Sequence, residues 1–354
     1  MSKFKAFLKR KNIVISAKRY GVDALGAMAQ GLFCSLLIGT IVKTLGQQLG
    51  VEFLVTIGGY ASAMSGPAMA AAIGYALQAP PLVLFSLIAV GSAANGLGGA
   101  GGPLAVLVIA VIAAEFGKAV SKETKVDILV TPIVTICIGV ALSAWWAPAI
   151  GKAASAVGSF IRWATVLQPF WMGILVSVVV GIALTLPISS AAICSALTLT
   201  GLAGGAAVAG CCANMVGFAV LSFRENRWGG LVSQGIGTSM LQMGNIVKNP
   251  RIWLPAILTS AITGPLATCV FQLEMNDPSG GLASGMGTCG FVGQIGVYAG
   301  WVADIASGTK EAITAMDWAG LVLICFVLPA VLCWAFGLFF RKIGWIREGD
   351  LKLD

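Results

Sequence analysis

Two short stretches of this 354-residue chain combine flexible backbone with uncharged hydrogen-bonding side chains. The first reads Gly235-Ile236-Gly237-Thr238-Ser239 and is followed by Gln242 and Asn245; the second reads Gly285-Met286-Gly287-Thr288-Cys289 and is followed by Gln294. Glycines at this spacing let the backbone bend sharply and expose N–H groups, while the hydroxyls and amides both donate and accept. Such a set can bind a neutral polyol or an oxyanion without a fixed charge. Gly235, Gly237, Thr238, Ser239, Gln242, Asn245, Gly285, Gly287, Thr288 and Gln294 are therefore candidate substrate-binding residues, with Asn214 as a further polar group. The competing use of Gly-x-Gly is close helix packing, which does not require the amides. For Asn214, as for Ser189 and Ser190, the competing use is a hydrogen bond between helices.

Other chemistries are excluded by what the chain lacks. It contains no histidine, and Glu52, Glu115 and Asp127 lie near the ends of apolar runs, so neither a histidine metal site nor a Ser-His-Asp triad can form. No catalytic residue, metal or cofactor is expected, and the chain does not read as an enzyme. The glycine-rich run from Asn95 to Pro103 lacks the Gly-Lys-Ser/Thr ending of a phosphate loop. The nine cysteines are scattered through apolar segments and read as small packing residues.

The elements that must position the two stretches are membrane helices. Hydrophobic residues make up 58% of the chain and charged residues 10%, and no charge occurs between Glu52 and Glu115 or from Trp163 to Phe223. Each of these stretches can cross a bilayer twice at about 20 residues per crossing. The net charge of +8 does not point to nucleic acid, because the basic residues gather at the ends of apolar runs. Lys3, Lys5, Lys9, Arg10, Lys11, Lys18 and Arg19 precede the first run, and Arg341, Lys342 and Arg347 follow the last, which places both ends in the cytoplasm. Residues 1–20 read as a basic, amphipathic cytoplasmic segment without a cleavable signal. Residues 21–340 read as a single transmembrane permease-like domain, and residues 341–354 as a cytoplasmic tail.

Full crossings are expected at Ala24–Leu45, Phe53–Leu77, Ile128–Trp146, Leu167–Leu186, Ile252–Leu273 and Trp318–Phe340, with two shorter pieces flanking the Asn95–Pro103 break. The count is about eight to ten, depending on whether 187–221 is a spanning hairpin. Charges on one side bracket each Gly-x-Gly-Thr stretch: Arg224, Arg227, Lys248 and Arg251 around the first, Glu274, Asp277, Asp304 and Glu311 around the second. Both stretches therefore read as re-entrant hairpin elements, with the second, Gly280–Val302, coming from the opposite side. Paired interrupted segments of this kind surround the solute site of inverted-repeat transporters.

The runs Ala29–Gly46, Gln234–Pro255, Ser260–Thr268 and Gly285–Gln294 carry a resemblance. They resemble the membrane-protein family of the perfringolysin regulator, grouped with the IIC, or membrane-embedded, components of the bacterial sugar phosphotransferase system. The resemblance covers about 22–340 and is most specific around Asn249-Pro250-Arg251. It implies an all-α, polytopic integral membrane protein with re-entrant elements, in a fold like that of the IIC components. Homodimers, which those permeases commonly form, are also implied. The chain departs from a complete phosphotransferase permease in having no histidine, including the hairpin histidine of some sugar IIC proteins. Phosphorylation of a solute would therefore need separate cytoplasmic partner proteins carrying the IIA and IIB functions.

The expected function is transport of a small polar solute, sugar or sugar-like, across the bacterial inner membrane by alternating access, with membrane lipids as surroundings and no nucleic acid as partner. The alternative is a membrane sensor that binds a solute or lipid and signals through the basic segment Lys3–Arg19 to a cytoplasmic partner; a channel is a third reading.

Overall fold

A computed structural model describes residues 3–165, 167–276 and 281–353. Asp277 and Gly280, used above to bracket the second stretch, lie outside them, as does the side chain of Lys3. The described chain is all-α, with one isolated antiparallel bridge between Gly201 and Met275. Six helical runs are long and apolar enough to cross a membrane: Arg19–Gln47, Pro81–Val120, Asp127–Thr165, Gly201–Leu221, Pro250–Val270 and Ala315–Lys342. The protein is thus polytopic. Its residues fall into two compact units, 1–153 and 154–354.

In the first unit, Arg19–Gln47 is helical with two π-helical turns, and it buries Leu25, Met28, Ala29 and Leu32. A Cβ on Gly31 would lie 2.6 Å from the Ala68 carbonyl oxygen, so glycine is needed there for two backbones to approach. The expected crossing Phe53–Leu77 is instead two helices, Glu52–Ala63 and Ser65–Ala76, broken at Met64. Pro67 sits in the first turn of the second helix, where its missing N–H would have no partner in any case. The Asn95–Pro103 break is the turn of a hairpin: Pro81–Gly98 and Gly102–Val120 pack on each other, and Gly99 takes φ +50° between them. Helix Asp127–Thr165, whose residues up to 153 belong to this unit, runs well past the expected end at Trp146 and carries Pro132 and Pro148 inside it. Helices in apolar surroundings tolerate such prolines where the freed backbone groups find other partners.

Three helices of this unit, Lys3–Arg10, Ser65–Ala76 and Gly102–Val120, end near one another, and basic side chains bind the carbonyls left over. Arg19 and Lys118 both donate to the Leu77 carbonyl, at 2.7 and 3.2 Å, and Lys11 donates to that of Ser121. Cations at helix C-termini satisfy orphan carbonyls and offset the negative end of the dipole. Lys118, only 1% exposed, also pairs with Glu115 at 2.8 Å, and Tyr20 donates to the same carboxylate.

The second unit is organised around helix Gly201–Leu221, whose residues from Gly204 to Met215 are all buried. Helices Pro169–Thr185, Leu254–Pro265 and Leu328–Lys342 pack against it. Small residues make this possible. A Cβ on Gly205 would overlap the Leu273 carbonyl, and one on Gly210 would overlap that of Ser177. The Ser177 hydroxyl donates to the Ser260 carbonyl at 2.7 Å, tying two of the surrounding helices together.

Candidate functional site

Both Gly-x-Gly-Thr stretches lie against this central helix as arms of broken structure. The first arm, 233–248, is a π-helical turn Ser233–Gly237, extended backbone at Thr238, a 3-10 turn Ser239–Gln242 and a short helix Met243–Lys248. The Thr238 hydroxyl accepts from the Met240 N–H at 3.1 Å and so starts the 3-10 turn. The second arm begins with a 3-10 turn Ala283–Gly285 and resumes as helix Val292–Ala306. The Gly285 carbonyl accepts from the Ser190 hydroxyl at 2.8 Å. Gly287 takes φ +54°, and a Cβ there would sit 2.6 Å from that of Cys211 on the central helix. Its glycine is thus required by conformation and by space.

The arms meet through Thr288, whose hydroxyl donates to the carbonyl of Gly235. This carbonyl belongs to the π-helical turn of the first arm. Thr288 is fully buried, and its hydroxyl also lies 3.6 Å from the Met215 sulfur.

Asn214 directly precedes Met215 on the central helix and is fully engaged. Its oxygen accepts from Trp253 Nε1 at 2.9 Å and Thr185 Oγ1 at 3.2 Å; its nitrogen donates to the Gly210 carbonyl at 3.1 Å and Ser260 Oγ at 3.3 Å. These are all the bonds an amide ordinarily makes, so in this arrangement Asn214 ties helices together and has nothing left for a solute. Ser239 joins the same network through Thr185, at 2.7 Å between hydroxyl oxygens.

Gln294 differs. Its nitrogen donates to the Cys212 sulfur at 3.3 Å, while its oxygen is buried without a hydrogen-bond partner among the described residues. Whichever way the amide is turned, one end contacts Cys212 and the other lacks a partner. A buried polar end left unpaired costs about 1–3 kcal/mol, so the position calls for a hydrogen-bonding partner.

A family model for the phosphotransferase system, EIIC, matches residues 22–353. The chain belongs to this EIIC family. No curated protein and no solved structure matches it. With its apolar helices, membership makes the chain a multi-pass membrane protein with a sugar-permease-like role.

In this EIIC protein the amides of the first arm bond to groups other than Gln294. Gln242, fully buried, donates to Gln234 Oε1 and to the Leu351 carbonyl, both at 2.9 Å, and accepts from Asn245 at 2.8 Å. Asn245 donates in addition to the Lys352 carbonyl at 2.8 Å. The structure therefore brings Gly235 and Thr288 together, and places Ser239 with Asn214, but gives Gln242 and Asn245 to the segment after the last span. Gln234, Thr185 and Ser260 are participants that sequence reasoning missed, whereas Ser190 was singled out with Asn214. Gln234 was legible, since it directly precedes Gly235; the other two are single hydroxyls in apolar helices, with nothing in the sequence to distinguish them.

Proposed function

We propose that this EIIC protein carries a small polyhydroxylated solute, a sugar or sugar-like compound, across the bacterial inner membrane by alternating access, with both ends of the chain cytoplasmic. It performs no chemistry on the solute itself; any phosphoryl transfer falls to separate partner proteins. A homodimer, and a place in the perfringolysin-regulator branch of the family, belong to the same reading and rest on the resemblance of the quoted runs. The observation that carries the proposal is the unpaired buried end of Gln294, set where the second arm meets the central helix. A sugar hydroxyl donates and accepts at one atom and so suits an amide in either orientation.

A thermal-shift screen of purified protein in detergent against sugars, sugar acids, nucleosides and small anions tests it, with Gln294→Leu in parallel. At about 100 times its dissociation constant a bound solute stabilises by about 2.7 kcal/mol. The expected result is a stabilising sugar whose effect is lost in Gln294→Leu, while the variant without solute is as stable as the parent or about 1 kcal/mol more so. A sugar that stabilises both forms equally removes Gln294 from the site. No response to any polar solute overturns the transport reading and favours a lipid-responsive sensor.

A further inference from the structure

Residues 345–353 follow the last span and contain no helix, yet they are seated as firmly as a core element: Leu351 is 0% exposed and Ile346 2%. Side-chain amides hold them. Asn226 donates to the Leu351 carbonyl at 2.8 Å and accepts from the Leu353 N–H at 2.8 Å. Gln242 donates to the same Leu351 carbonyl, Asn245 to that of Lys352, and Asn249 to the Trp345 carbonyl at 3.0 Å and the Asp350 carboxylate at 2.8 Å. Trp345 stacks on Phe340 at 5.4 Å between ring centroids, and the Arg251 guanidinium lies 5.3 Å over its ring.

We propose that this segment is a latch on the first arm. While seated it occupies amide donors of Gln242 and Asn245 and holds residues 233–249 in place; the arm moves only after it leaves. Three features support this. The contacts are side-chain amides to peptide groups together with two apolar anchors, so they can be broken and remade without rearranging any helix. The amides form a relay, Ser222 to Gln234 to Gln242 to Asn245, in which the nitrogens of Gln242 and Asn245 each donate one bond inside the relay and another to the segment. Departure of the segment therefore leaves buried donors unpaired along the arm, which couples latch to arm. Finally, the arm is short 3-10, π and extended pieces and one six-residue helix, which have few internal hydrogen bonds to hold them on their own. The bearing of the latch on transport rests on the solute reading above, under which it is autoinhibitory. Its mechanical claim does not.

Hydrogen exchange of the full chain in detergent tests the mechanical claim without any solute. In the double variant Asn226→Ala, Asn249→Ala, exchange should become about tenfold faster in 345–353 and in 233–249 together, with Gly201–Leu221 unchanged. Faster exchange in 345–353 alone overturns the latch. If protection is lost throughout the second unit, the decision passes to a second protein, in which Asn249→Cys and Asp350→Cys are bridged by a short thiol cross-linker after Cys34, Cys137 and Cys269 are changed to serine. Bridging should slow exchange in 233–248 by about tenfold relative to the unbridged chain, and exchange that does not slow sinks the proposal.

Discussion

Thr288 donates a hydrogen bond to the carbonyl of Gly235, so the threonine of one Gly-x-Gly-Thr stretch closes on the first glycine of the other. Fifty residues apart in sequence, the two repeats are thereby a single structural joint on the central helix. Thr288→Val keeps the shape and removes the donor. It should lower stability by about 1–2 kcal/mol, while Thr288→Ser stays within about 0.5 kcal/mol of the parent. Thermal unfolding in detergent separates the two, and equal losses in both would mean that the hydroxyl does not hold the joint.

The glycines of the two stretches are not equivalent. Gly287→Ala forces a side chain into left-handed backbone against Cys211, and should destabilise by roughly 2–4 kcal/mol. Gly235→Ala meets nothing nearer than the Ala219 side chain at 3.4 Å, and should change stability by less than about 0.5 kcal/mol. A tolerant Gly287 in the same unfolding assay would show that the close approach to the central helix is not required.

A pH dependence follows from the N-terminal helix. The Glu123 carboxylate pairs with Arg10 at 2.7 Å and with Lys11, and chiefly the hydrogen bond from Lys11 holds its pKa below the ordinary glutamate value. A depressed folded pKa means that this contribution is complete above the unfolded value of about 4.3 and is lost as pH falls through the lower folded one. Hydrogen exchange of residues 3–12, corrected for intrinsic rate, should thus loosen in acid below that value, and Glu123→Gln should show the loosened behaviour already at neutral pH. Identical protection in parent and variant at neutral pH would show that Glu123 does not hold this helix.

Much of the architecture was legible because apolar length and charge placement are strong signals: Ala24–Leu45, Leu167–Leu186 and Trp318–Phe340 all fall on helices. Breaks were harder. Ser65-Gly66-Pro67 announces a helix start inside an apolar run, and the structure breaks there, whereas Pro148 announces a stop that the helix ignores. The difference lies in whether neighbouring groups satisfy the freed backbone, and local sequence does not record that. At the candidate site, the coming together of the two stretches was legible in their repetition. The partner of Gln242 was not, because Leu351 offers only a peptide carbonyl, which every residue has. Asn214 could not be assigned from sequence for a similar reason: Thr185, Trp253 and Ser260, far apart in the chain, use up its bonds together with Gly210 of its own helix, and any polar residue at that depth would have looked the same.

The burial of helix Gly201–Leu221 has a consequence for how the protein is made. Its glycines are fitted to Ser177, which the ribosome has already delivered, but also to Leu273 and Cys333, which are synthesised later. Until those residues emerge, a glycine-rich helix carrying Asn214 waits in the membrane with one flank uncovered. A chain stalled before Leu273 therefore lacks the groups that cover this flank, and the packing of the central helix is complete only with the last span.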